Sequence, residues 1–371
     1  MRALVVGAGP AGCTASVALA RQGADVLLVE IEPAPRPLGV GLLLQNSPLR
    51  ALDSLGLVEQ CVAWGYVHDE IDVCDRTGRV LTRIAPPPLV AGHPGMVAMS
   101  RAALADVLLA AVAAEGVELR LSTTAEQLDD QDERVRAILS DGAVEDVDLV
   151  VVADGSHSRT RDLLVPDAPS PRRAGQAVWR AAARRPPGVD RYSMLEGGPE
   201  RGKVGVVPIS EDHLYVWLLE NEGHGRDRPA AADRLDRLRE MLDPFGGDVP
   251  VVAASLQEPV DVRSLHSLLL PLPWSRGRCV IIGDAAHTTT PQIAYGVGMA
   301  IEDSVVLAQC LAAGGDVPAA LQRYGARRFD RCALVVESSV KLAAWEQSPP
   351  ADPALPGRLI GGTLAALADP Y

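Results

Sequence analysis

Three acidic residues each close a short apolar run, and two of them have glycine as a direct neighbour. Glu30 follows residues 24–29, Asp154 follows 147–153 and precedes Gly155, and Asp284 follows 279–282 and Gly283. Runs of this length and composition read as strands buried on both faces. A carboxylate at the carboxyl end of such a strand points into the crevice where open α/β sheets bind ligands. The first site is the most specific. Leu4-Val5-Val6 leads into Gly7-Ala8-Gly9-Pro10-Ala11-Gly12 and an apolar helix, and a second strand then ends in Glu30. Strand, G-x-G-x-x-G, helix, strand and acid together form a dinucleotide fingerprint. The glycines allow a tight turn, close approach of backbone to a pyrophosphate, and helix–strand packing, while Glu30 is placed to accept hydrogen bonds from a ribose. At the third site Pro291 sits in the loop, and Gly296-Val297-Gly298 opens a long apolar-periodic helix. The positive end of that helix would face the crevice. Taken alone, this stretch reads equally well as an ordinary strand-loop-helix unit with a capping Asp.

The three motifs in this order resemble the single-component FAD monooxygenases typified by p-hydroxybenzoate hydroxylase, across essentially the whole chain. Gly7 to Gly12 match that family's nucleotide fingerprint, Asp154-Gly155 its central Asp-Gly motif, and Gly283-Asp284-Ala285-Ala286-His287 its Gly-Asp motif. The family continues Pro-x-x-Gly-Gln-Gly-x-Asn, where this chain has Pro291-Gln292-Ile293-Ala294-Tyr295-Gly296-Val297-Gly298. Ala294, Tyr295 and Gly298 are therefore departures beside the expected isoalloxazine position. The resemblance implies tightly bound FAD, transient NADH or NADPH, and O2 reacting through a flavin hydroperoxide to hydroxylate a small aromatic or polyketide-like substrate. It also places FAD contacts at Arg36, Gly41, Arg101 and Ala125. For Arg36 the plain reading is a solvated arginine in a Pro/Gly-rich loop. Arg101 opens a helix, where a cation is unfavourable without an anion nearby.

These motifs need elements to hold them. The expected fold is α/β: a Rossmann-like FAD domain with an interleaved, mainly antiparallel substrate sheet and C-terminal helices. The FAD domain is expected in three parts, 1–68, 95–169 and 277–345. Between them lie a hairpin at 69–94 and a substrate domain at 170–276, and residues 346–371 form a tail with a helix. A change to period two at 69–85, with a turn at Thr77-Gly78, marks the hairpin. Residues 47–57 read as a helix capped at Ser47, and 102–114 as a helix capped at Ser100. Strands are expected at 177–182, 191–195, 203–207, 214–219 and 262–269, an amphipathic helix at 230–242, and two separate helices at 317–329 and 331–345.

Alternation puts His213, Tyr215 and Trp217 on one strand face, beside Lys203, Gly205 and Val207 of the next. Tyr215 is read as lining the pocket, with Lys203 or Arg180 as partner for a phenolate or enolate. Trp179, Tyr192, Met194 and Tyr295 are further substrate-lining candidates. Aromatic residues on strands are also ordinary packing residues. His287 reads as structural or flavin-adjacent rather than as a general base. No metal-ligand spacing and no Ser/His/Asp arrangement stands out.

Composition narrows the partners. A formal charge of −13 over 371 residues argues against nucleic acid or an anionic membrane surface. Only Lys203 and Lys341 are lysines, so basic function falls on arginine. Six cysteines without C-x-x-C spacing suit a reducing cytoplasm. The first twenty residues have the look of a signal peptide, but the fingerprint explains them better. No apolar stretch approaches the ~18–20 residues of a membrane span. A monomer or homodimer is expected. Epoxidation, Baeyer–Villiger insertion and dehydrogenation remain open on the same fold, as do a non-catalytic FAD-binding redox protein and, from the first fingerprint alone, a nicotinamide-dependent dehydrogenase. The Trp-x-Trp-x-Ile-Pro signature of the halogenase branch is absent.

Overall fold

A computed structural model describes residues 1–34, 39–222 and 229–371. Its centre is a six-stranded sheet in the order Ser275–Arg276, Cys279–Ile281, Leu149–Val152, Arg2–Val6, Asp25–Val29 and Glu118–Arg120. All neighbours run parallel except the first pair. Beyond Arg2 at its edge, residues 3–6 and 149–152 of the central strands are apolar and buried, because helices cover both faces. Parallel pairing puts the carboxyl ends of Arg2–Val6, Leu149–Val152 and Cys279–Ile281 side by side, so the turns at 7, 154 and 283 share one sheet edge.

The second large sheet has seven strands, ordered Leu256–Ser267, Arg172–Arg184, His213–Asn221, Lys203–Pro208, Tyr192–Glu196, Ile71–Asp75 and Val80–Ile84. The hairpin at its edge joins through a parallel pairing of Ile71–Asp75 with Tyr192–Glu196. One face packs under the helices Arg234–Leu242 and Val249–Ala253. The other packs on a small sheet of Gly41–Gln45, Met96–Ser100 and Tyr66–Val67. The fold is thus α/β with an interleaved antiparallel layer and C-terminal helices. Among the described residues no helix is long and apolar enough to cross a membrane.

Several local expectations change. Ser47 is not a cap: the helix runs Asn46–Ser54 behind Gln45, and the Ser47 hydroxyl donates to Glu302 at 2.8 Å. Ser100 does cap its helix, accepting from the Ala103 N–H. The expected helix at 230–242 is a 3-10 turn, Ala231–Asp233, running into Arg234–Leu242. The two helices expected at 317–329 and 331–345 are one helix of 31 residues, Val317–Gln347. The apolar stripe is broken at 328 and 331 because the buried Arg328 and the partly buried Arg331 occupy the inward face there, their charges met by acids on the neighbouring helix.

Candidate active site

Sterics fix the first turn. Gly7 has φ +103°, and a Cβ there would lie 2.5 Å from the Ala153 carbonyl oxygen, so only glycine lets the first and second turns touch. A Cβ on Gly12 would lie 1.8 Å from the Gly7 carbonyl oxygen. Gly9 has no atom within 4 Å of its Cβ position and faces open space. Pro10 then opens the helix Pro10–Arg21, which has no side-chain cap, and Ala11 packs against the Gly283 turn. The Glu30 carboxylate accepts the N–H groups of Ala8 at 2.7 Å and Glu32 at 3.0 Å. Ala125 is buried at the start of its strand, just after Thr123, whose N–H donates to the Glu30 carbonyl.

Asp154 organises the second turn: it accepts from the Ser158 hydroxyl and from the Thr160 N–H at 3.1 Å. Gly155 has φ +86° and open space around it. Arg161 bridges to the third turn, donating to the Ser156 carbonyl at 3.3 Å and the Ala285 carbonyl at 3.2 Å. Gly283 has φ 63° and ψ −148°, a conformation open essentially to glycine alone. Asp284 follows with its side chain open to the cleft. The enclosing walls raise its pKa, against the opposing pull of His287 and Arg101. Pro291 starts the turn Pro291–Ile293, and Ala294 holds a left-handed conformation (φ 55°, ψ 39°) where the family pattern has glycine. The helix Gly296–Ala312 begins there without a side-chain cap, with Gly296 and Val297 half-buried. Gly298 lets Pro48 approach, because a Cβ would sit 2.3 Å from that ring.

Sequence reasoning missed the charges behind this loop. Asp303, fully buried, accepts from the Gly283 N–H at 2.8 Å, lies 2.6 Å from His287 Nε2, and accepts from Arg328 Nε at 2.7 Å. Glu302, equally buried, meets Arg328 at 2.9 Å, and Arg331 at 2.8 and 3.0 Å from two nitrogens. Burial would raise the Asp303 pKa, but His287 and Arg328 hold it at about 2. Burial would lower that of His287, but Cys332 and Asp303 raise it well above the usual range. The donor atoms of His287, Asp303 and Cys332 lie within 4.8 Å of one another. Yet Arg328 donates to both Asp303 and the Cys332 sulfur, so a guanidinium supplies the positive charge a metal would bring. The legible signal was Glu302-Asp303 inside an otherwise apolar helix. Tyr295, expected to line the substrate site, is instead buried in this cluster and donates to Glu302 at 3.0 Å.

On the seven-stranded sheet, register puts Arg180, Tyr192, Met194, Lys203, Tyr215 and Trp217 on one face. The Trp217 indole lies over Gly205, where a Cβ would be 2.0 Å from the ring, and a Cβ on Gly41 would likewise lie 2.5 Å from the Tyr215 ring. Arg180 donates to the Tyr215 hydroxyl oxygen at 3.2 Å and to Asp261 at 3.3 Å. Arg101 and Arg180 both pass close to Gly39. Burial, and then Arg180, lower the Arg101 pKa. Trp179 is adjacent to Arg180 and so points through the opposite face, into the core under Leu238 and Leu242, where it donates to Glu220. His213 is exposed at the first position of its strand. Lys203 is bound to both Glu196 and Glu346 at 2.9 Å, so the anion partner expected there is already neutralised. Arg36 lies outside the described residues.

Arg101 Nε, Thr290 Oγ1 and Gln292 Oε1 are buried without a protein partner. Orphaned groups, open space over Gly9 and Gly155, and an accessible Asp284 in an enclosed cleft are what a bound FAD would satisfy and fill.

Comparison with known proteins agrees. The FAD binding domain family matches residues 1–339. Aurachin C monooxygenase/isomerase of Stigmatella aurantiaca is 31% identical over 355 residues, covering 93% of this chain and 90% of the relative. The 2-heptyl-3-hydroxy-4(1H)-quinolone synthase of Pseudomonas aeruginosa is 30% identical over 358 residues, again 93% and 90%. The crystal structure of Klebsiella pneumoniae HpxO complexed with FAD and uric acid superposes with a TM-score of 0.83 at 25% identity, over 100% of this chain and 97% of that one. A nucleotide fingerprint, two further turns on the same sheet edge and full-length likeness lead to one assignment: the chain belongs to the FAD-dependent monooxygenases, the p-hydroxybenzoate hydroxylase-like flavoprotein family.

Proposed function

We propose that this enzyme uses NADH or NADPH and O2 to hydroxylate a small, electron-rich aromatic ring held between the Gly-Asp turn and the Arg180–Tyr215 face. Bound FAD supplies the redox and oxygen-activating chemistry. The fingerprint turn and Glu30 would hold its adenosine end, and Arg101, Asp154 and Asp284 would contribute further along its length. The amino end of the helix Gly296–Ala312 favours negative charge beside the ring system.

The observation that carries the substrate reading is the Arg180–Tyr215 pair. Arg180 donates to the Tyr215 oxygen, which leaves the phenolic proton free to donate elsewhere. A phenolic donor suits a ring hydroxyl or carbonyl oxygen, whose partial negative charge activates the neighbouring carbon. Trp217 and Met194 offer the flat apolar surface such a ring needs, and Tyr192, Val207 and Met96 pack the sheet against water. Relatives named for quinolone chemistry and a neighbour bound to uric acid support a keto- or hydroxy-substituted heteroaromatic. All six cysteines are buried and free, in keeping with work in a reducing cytoplasm.

The test is a screen of hydroxylated and keto heteroaromatics, scored by NAD(P)H consumption with peroxide measured in parallel. At least one ring should stimulate NAD(P)H oxidation and gain one oxygen in mass. Tyr215→Phe should retain FAD while coupled turnover falls about tenfold, the worth of one hydrogen bond to developing charge. Unchanged coupled turnover in that variant would return Tyr215 to a packing role, and peroxide as the sole product across the screen would remove the hydroxylase reading.

A further inference from the structure

The last turn of the long helix Val317–Gln347 enters the substrate sheet at a bulge. Strand Arg172–Arg184 slips register between Arg173 and Ala177, and at Gly175 (φ +76°) a Cβ would lie 2.5 Å from Gln347 Oε1. Gln347 fills that gap and donates to the Ala174 carbonyl at 2.9 Å. The bulge therefore admits the helix end, and the residue it delivers is Glu346.

Glu346 joins three elements. One oxygen accepts from Lys203 Nζ at 2.9 Å; the other accepts from the side-chain amides of Gln292 at 2.9 Å and Gln176 at 3.2 Å. Lys203 also pairs with Glu196, its cross-strand neighbour. One ammonium between two carboxylates leaves this node net negative by one. Lys203 is two residues from Gly205, the seat of the Trp217 indole, so the node lies about 7 Å along the strand from the ring-stacking surface. Gln292 belongs to the Pro291–Ile293 turn just ahead of the helix whose amino end would face the bound flavin.

We propose that Glu346 is a specificity-determining residue: by neutralising Lys203 it denies a cation to carboxylate-bearing rings and makes the pocket select uncharged ones. This rests on the pocket reading above. Were Lys203 unpaired, the same sheet position would favour an aromatic acid. With Glu346 in place, a substrate carboxylate would meet a net negative node at close range, and at an effective dielectric near 20 one extra charge at that separation is worth tenfold or more in affinity. The Gln292 contact gives Glu346 a second part, holding the sheet against the flavin loop.

An isosteric pair of probes tests this on the FAD-loaded enzyme, read by perturbation of the bound flavin's absorbance. We expect 4-hydroxybenzamide to bind the wild type at least tenfold more tightly than 4-hydroxybenzoate. In Glu346→Gln that preference should shrink about tenfold or more. Glu346→Asp keeps the charge while withdrawing the contact, and should hold the wild-type preference to within about threefold even where both affinities fall. If both probes bind and Glu346→Gln leaves the preference unmoved, or Glu346→Asp moves it as far as Glu346→Gln, the proposal is overturned while the pocket stands. If neither probe perturbs the wild-type flavin, the pocket reading falls and takes this inference with it.

Discussion

The long helix Val317–Gln347 brings charged residues against the body of the protein at Arg328 and Arg331 and again at Glu346, and the surroundings of the two places differ. At Arg328 and Arg331 it meets Glu302 and Asp303, both acids without solvent exposure, and the cluster also takes in His287, Tyr295, Ser47 and the Gly283 N–H. At Glu346 it meets Lys203 and Glu196 with side chains 19%, 13% and 41% exposed. A dry cluster has no water to replace a missing partner, so its geometry is obligatory. A node open to solvent through one member, Glu196, can lose a partner with solvent compensating in part, so it can be retuned without unfolding the protein. The first region therefore holds the flavin loops, and the second is where specificity can vary.

The comparison breaks most readily at Asp303. Asp303→Asn strips the counter-charge from Arg328 and His287 in a dry site, and should cost about 3–5 kcal/mol and most of the bound FAD. Denaturant unfolding and flavin absorbance read both; a loss under about 1 kcal/mol would mean that water reaches the cluster. The pH dependence sharpens the point. With the folded pKa at about 2, below the ordinary 3.8, the native state gains from ionised Asp303 above about pH 4, and loses that gain as pH falls towards 2. The stability gap between wild type and Asp303→Asn should thus be widest between about pH 5 and pH 6, and narrow below about pH 4 as Asp303 protonates. It should narrow again above about pH 6.5, as pH rises towards the raised pKa that Asp303 helps give His287.

At the wetter end, Lys203→Met should cost less than Asp303→Asn, about 1–3 kcal/mol, and keep FAD, since Glu196 can turn to solvent while Glu346 retains the Gln292 and Gln176 amides. A loss as large as that of Asp303→Asn would erase the distinction between the two places. The smallest effect is expected at Ala294, an alanine in a left-handed conformation. Ala294→Gly should stabilise the protein by about 0.5–1 kcal/mol, read as a shift in the unfolding midpoint at constant slope. Destabilisation there would mean that the alanine methyl makes contacts worth more than the backbone strain.

Much of the flavin half was legible in the sequence because local rules govern it. Gly7, Gly12 and Gly283 are demanded by backbone contacts or dihedrals that any chain making these turns must meet, so the residue types announce the geometry. The substrate face was legible in part. Alternation correctly aligned Lys203, Gly205 and Val207 with Tyr215 and Trp217, but Trp179 and Arg180 are consecutive and only one of them can face the pocket. Cross-strand register decides which, and register is a long-range property.

Short-range physics in the chain itself determined the three turns, the parallel strands leading into them and the two-faced character of the second sheet. Which charges neutralise which was left to the tertiary structure. Glu302 finds Arg331 across 29 positions and Glu346 finds Lys203 across 143, separations at which sequence spacing holds no distance information. An arginine in a broken apolar stripe reads as solvated until the acid that draws it inward is in place, and only the packed helices bring that acid within reach.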